Sequence, residues 1–138
     1  GYLRDTLQDT ACWRAILGVY DRGGVVAGCS AGAMVLVEKM LDFPRRVGLV
    51  PALNHAPGLV VIPHYGEFPL GNLLLDIIAL VGGKLAIVGI EGTTALVGTN
   101  GAWHVAGRGG VTVLSDHQTV RYTDGQQVTL ESEPATEA

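Results

Sequence analysis

The sequence predicts an α/β protein with a mainly parallel sheet and antiparallel hairpins at its C-terminal edge. Three observations predict it. Short apolar runs alternate with segments of helical period through the first half of the chain. From residue 86 onward, several short runs follow one another with glycine turns between them, the pattern of hairpins. Finally, 20 glycines are too many for a helical bundle, while 48% hydrophobic against 16% charged residues implies segments buried on more than one side.

Taken in order, Leu3, Leu7, Trp13, Ile16, Leu17 and Tyr20 recur at helical spacing, so Tyr2 to Arg22 reads as a helix that Gly23-Gly24 stops. Val25-Val26-Ala27 reads as a short strand that ends in Gly28-Cys29-Ser30-Ala31-Gly32. Helix formers return from Ala33 to Met40. The prolines Pro44, Pro51 and Pro57 make 41–58 a loop. Leu59-Val60-Val61-Ile62 is a buried strand closed by Pro63 and followed at once by His64. A helix is expected from Leu70 to Leu80, ended by Gly82-Gly83. Strands are expected at Ala86–Ile90, Thr94–Gly98, Ala102–Ala106 and Val111–Leu114, with Thr99-Asn100-Gly101 as a hairpin turn. A last hairpin over Gln118–Leu130 turns at Asp124-Gly125. At 138 residues there is room for one core, so 1–130 is expected to form one domain, with Glu131–Ala138 as a polar tail.

Composition also excludes functions. A net charge of −4 without any basic run gives no electrostatic reason to expect nucleic acid. The longest apolar stretch, Leu73–Val81, is broken by Asp76 and is too short to span a bilayer, so no membrane partner is expected. No leader-like segment opens the sequence, and a cytoplasmic location is the default expectation. Cys12 and Cys29 have neither zinc-site spacing nor the look of a disulfide framework, so neither a metal nor another cofactor is expected.

Chemistry concentrates at Gly28-x-Ser30-x-Gly32. A side chain perched on a tight strand-to-helix turn needs small neighbours, and Gly28, Ala31, Gly32 and Ala33 provide them. Such a turn lifts the Ser30 hydroxyl and aims the Ala31 N–H at the same spot, where it can act as an oxyanion donor. The serine needs a base. His64 directly follows a buried strand, at the C-terminal end where open α/β sheets build their sites. His104 falls within a hairpin strand, His117 in a surface loop, and His55 in a proline-bounded loop. The carboxylate that would orient the imidazole stays open among Glu38, Asp42, Glu67 and Asp76; Glu67 is close to His64 but could equally cap the helix that follows.

The blocks Gly23-Gly24-Val25-Val26-Ala27-Gly28-Cys29-Ser30-Ala31-Gly32-Ala33 and Pro57-Gly58-Leu59-Val60-Val61-Ile62-Pro63-His64-Tyr65 resemble the serine peptidases of the dipeptidase E and cyanophycinase type. The Gly89-Ile90-Glu91 and Thr94-Ala95-Leu96-Val97 segment extends the resemblance. It implies a flavodoxin-like α/β sandwich related to class I glutamine amidotransferases, with a mainly parallel sheet and helices on both faces. It further implies a serine-type hydrolase acting on a small peptide or amide, with Ser30 as nucleophile, His64 as base and Asp42 as the acid. Against the family pattern, the chain is expected to lack N-terminal strands and a glycine-rich turn that supplies a second oxyanion donor. The segment after His64 lacks the usual arginines, which leaves Arg45, Arg46 and Glu67 as substrate-binding candidates. An open apolar sheet edge would be covered by a partner segment or by a homodimer. Two rivals stand beside this reading: a non-catalytic binding module on the same frame, and cysteine chemistry at Cys29.

Overall fold

A computed structural model of the protein describes residues 1–42, 48–69, 72–81, 84–114 and 118–130. The expected first helix is two helices, α1 (Tyr2–Leu7) and α2 (Ala11–Asp21). The break has a local cause. Asp9 takes a left-handed φ of 60°, and Thr10 then caps α2 by accepting the Trp13 N–H on its hydroxyl oxygen at 3.1 Å. At the far end Gly23, with φ of 88°, donates to the Tyr20 carbonyl and terminates the helix as expected.

The strand expected at Val25–Ala27 does not form. Residues 24–29 make no ladder with any described strand, and Val25 is 85% exposed. A strand exists only through its neighbour's backbone, and β-forming side chains alone do not supply one.

Next comes α3 (Ala31–Leu36), which starts two residues before the expected helix and ends four earlier. Its C-terminal carbonyls are taken from outside: the N–H groups of Leu53, Asn54 and Ala56 donate to Val35, Val37 and Leu36. The chain then enters β1 (Lys39–Leu41), where the end of the helix was expected, and β1 pairs antiparallel with β2 (Leu49–Pro51), which lies inside the segment expected to be loop. Pro51 falls at the last, exposed position of β2, where its missing N–H costs little.

The expected buried strand is β3 (Leu59–Ile62), and α4 (Asn72–Val81) crosses over from it to β4 (Ala86–Ile90), its parallel neighbour. Strands β5 (Thr94–Thr99), β6 (Ala102–Gly107), β7 (Gly110–Leu114), β8 (Thr119–Thr123) and β9 (Gln127–Val128) follow. One sheet runs β3-β4-β7-β8 and a second runs β5-β6-β9. The sheet is therefore mixed: β3–β4 is parallel, while β4–β7 and β7–β8 are antiparallel. This corrects the expectation of a mainly parallel sheet. The unpaired segment 24–29 adds no parallel rung, and the late hairpin strands supply half of the larger sheet.

Alternation along the strands builds two cores. Val60, Ile62, Ile87 and Leu114 face Ile77 and Val81 of α4. Leu59, Val61, Val88 and Val111 face the opposite way and meet Val105 and Val128 of the second sheet. Among the described residues, one face of the larger sheet thus carries α4 and the other is covered mainly by a second sheet, where helices on both faces were expected. Each fully buried aliphatic side chain contributes about 1.5–3 kcal/mol. No described helix is long and apolar enough to cross a membrane.

Candidate active site

Two turns converge at the C-terminal end of β3. The first is the elbow. Ser30 adopts φ 52° and ψ −115°, a conformation that costs a non-glycine residue about 1–3 kcal/mol. Gly28 makes the bend sterically feasible, since a Cβ there would overlap the Gly32 carbonyl. Gly32 itself faces open space. The Gly32 N–H closes the turn onto the Cys29 carbonyl at 2.8 Å, and Ala31 opens α3, so its N–H has no intrahelical acceptor.

The second turn carries His64. Pro63 ends β3, and His64 follows with a left-handed φ of 54°. Gly66, at φ 86°, lets the Glu67 N–H return to the His64 carbonyl at 3.0 Å, a tight turn with glycine at its third position. Tyr65 anchors the turn to the sheet: its N–H donates to the Ile90 carbonyl at 3.0 Å, and its ring lies where a side chain on Gly89 would be.

The result is a three-residue chain of contacts. Ser30 Oγ lies 3.2 Å from His64 Nε2, and Glu67 Oε2 lies 3.1 Å from His64 Nδ1. About half of each of the His64 and Glu67 side chains is exposed. The exposed ring of Phe68 stands edge-on to the imidazole, with centroids 6.4 Å apart.

The other sequence candidates fall as follows. Asp42, the acid implied by resemblance, is buried next to β1, with Oδ1 3.9 Å from the Gly1 amino nitrogen, and it is Glu67 that occupies His64 Nδ1. Glu38 accepts the Gly58 N–H at 2.7 Å and ties β1 to the start of β3. Asp76 is exposed on α4. Arg45, Arg46 and His117 lie outside the described residues, as does the tail 131–138. His55 packs edge-on against Tyr20 and Trp13 of α2, at centroid distances of 4.6 and 6.3 Å. His104 is exposed on β6. Cys29 is exposed, but the imidazole meets the neighbouring hydroxyl instead of its thiol. The signal that favours Glu67 is His-x-Gly-Glu: a glycine at the third place of a turn brings its first and fourth residues together.

Glu91, which follows β4, belongs to a different arrangement. Arg121 of β8 grips it with two hydrogen bonds, Nε to Oε2 at 2.7 Å and a second guanidinium nitrogen to Oε1 at 3.0 Å. The guanidinium holds the Glu91 carboxyl below the usual carboxylate range. Among the described residues no group of three or more His, Cys, Asp or Glu could hold a metal ion. A cavity of about 520 Å³, lined by Gly58, Leu59, Trp103 and Leu130 among others, opens at the N-terminal ends of β3 and β4, the opposite end from His64.

No protein-family model matches the chain. It is 32% identical over 114 residues to the cyanophycinases of Synechococcus elongatus and Thermosynechococcus vestitus, an alignment that covers 77% of the chain and 35% of each relative. It also matches the crystal structure of a peptidase from an acI-B1 actinobacterium, with a TM-score of 0.78 and 31% identity, over 93% of the chain and 55% of that protein. The chain thus spans about a third of the length of these cyanophycinases and about half of that peptidase. Over this span, the similarity to the cyanophycinases and to that peptidase supports a peptidase E/cyanophycinase-like family for the chain.

Proposed function

We propose that this chain carries the nucleophile and base of a serine-type hydrolase that cleaves peptide or amide bonds, on a flavodoxin-like frame. One observation carries the reading: a strained, exposed serine 3.2 Å from an imidazole whose other nitrogen faces a carboxylate at 3.1 Å. With Glu67 accepting from Nδ1–H, the lone pair of Nε2 is left to receive the Ser30 proton. Ser30 Oγ then bonds to the substrate carbonyl carbon while the Ala31 N–H meets the developing oxyanion. The imidazolium returns its proton to the departing amine as the C–N bond breaks. Water attacks the acyl-enzyme with His64 again as base and frees Ser30. A separation of 3.2 Å is long for a hydroxyl on nitrogen, as is common before substrate tightens such sites. Glu67 is here the orienting acid, and Asp42 a buried structural carboxylate of the adjoining hairpin. The relatives' printed names, cyanophycinase and peptidase, favour a peptide or amide bond as the one cleaved.

The test is labelling with a fluorophosphonate, which bonds to activated serines. The protein should label, Ser30→Ala should not, and Cys29→Ala should label like the parent. A folded protein that resists the reagent would overturn the proposal. That outcome would favour a binding module, a reading supported by the unpaired segment 24–29 that leads into the elbow.

A further inference from the structure

We infer that Gly92 is a positioning residue: its missing side chain is the space in which the Glu67 carboxylate stands to reach His64. The inference rests on the proposed serine site and extends it to the turn between β4 and β5. A Cβ built on Gly92 would lie 2.7 Å from Glu67 Oε1, closer than real Cβ contacts come. The other oxygen of the same carboxylate is the one 3.1 Å from His64 Nδ1. Glu67 is therefore held between the imidazole and bare backbone, with one oxygen toward each.

The backbone of residue 92 is the rigid side of this contact. Its carbonyl accepts the hydroxyls of Thr93 and Thr94 at 2.7 and 3.0 Å, and Thr94 in turn accepts the Gly109 N–H at 2.9 Å. Glu67 is the soft side, a half-exposed side chain with several rotatable bonds. When a methyl group appears at 92, the carboxylate moves and the turn stays. Gly92 has no left-handed φ, so alanine brings no backbone strain of its own, and its effect is confined to the space it fills.

Two measurements test this on the whole chain. In protein labelled with ¹⁵N-histidine, the His64 Nδ1–H proton signal reports the bond to Glu67. Gly92→Ala should lose it as fully as Glu67→Ala does, which removes the acceptor. Labelling by a fluorophosphonate should slow by about 10- to 100-fold in either variant, the effect of losing one charge-assisted hydrogen bond. The double variant Gly92→Ala/Glu67→Ala should be no slower than Glu67→Ala alone. Retention of the Nδ1–H signal in Gly92→Ala, or an equal slowing by that change in both backgrounds, would overturn the role. So would loss of fold in both Gly92→Ala proteins, since the glycine would then be structural. If the parent does not label at all but its imidazole signal responds as described, the hydrolase proposal fails and the role of Gly92 stands.

Discussion

The Gly28-x-Ser30-x-Gly32 pattern contains two glycines, and the structure gives them unequal work. A Cβ on Gly28 would lie 2.5 Å from the Gly32 carbonyl carbon and 2.8 Å from Ala33 N, where ordinary contact begins at 3.4 Å. The atoms met are backbone, so relief requires the elbow to open by about 0.9 Å, the shortfall at that carbon. Overpacking of this kind costs about 1–3 kcal/mol. With an unfolding entropy of roughly 2.1 cal/mol/K per residue, that lowers the melting temperature of a chain this size by about 3–10 °C. Ser30 rides on the same bend, and a nucleophile displaced by about 1 Å loses on the order of 100-fold in rate. Gly32→Ala is the matched control. Its Cβ enters open space at a helical position, so it should leave labelling unchanged and stabilise the fold by about 0.4–1 kcal/mol. Thermal melts and fluorophosphonate labelling rates of both variants decide the matter. Gly28→Ala melting within a degree of the parent and labelling as fast would refute the steric account of the elbow.

Other consequences can be checked separately. Glu67→Gln should slow labelling by about 10- to 100-fold through loss of the negative charge on the Nδ1 partner, whereas Asp42→Asn should slow it far less at equal reagent concentration. Ile77→Ala, at a fully buried position on the inner face of α4, should cost about 2–5 kcal/mol in urea unfolding. Thr10→Ala removes the cap of α2 and should cost about 1 kcal/mol by the same measurement. Because Arg121 lowers the Glu91 carboxyl below its unfolded value, its contribution is complete above the ordinary carboxylate range and fades as pH falls through the folded value. Glu91→Gln should therefore lower the urea midpoint near neutrality, and the gap to the parent should close in acid.

Much of the fold was legible because local rules decided it. β3 is a continuous apolar run closed by proline, and the β5–β6 hairpin turns at Asn100-Gly101 as its sequence requires. What escaped was decided at long range. The short helix α3 stops where it does because Leu53, Asn54 and Ala56 satisfy its carbonyls, a partnership no local pattern announces. For the same reason Val25-Val26-Ala27 has strand composition without strand pairing. Within the site, Ser30 and His64 stood out through their turn and strand contexts. The choice of carboxylate turned on the conformation of one tight turn, and there Gly66 was the informative residue: its φ of 86° folds Glu67 back toward the imidazole.

His64 and Glu67 belong to one four-residue turn fastened to β4, while Ser30 hangs from a separate bend. Backbone motion of that turn consequently carries both residues together, while the Glu67 side chain keeps its own freedom to turn toward or away from the ring. The seam runs between that turn and the elbow, so slow drift of one past the other registers as change in a single gap, from Oγ to Nε2. Residues 24–29, which pair with no described strand, lead directly into the Ser30 side of that gap.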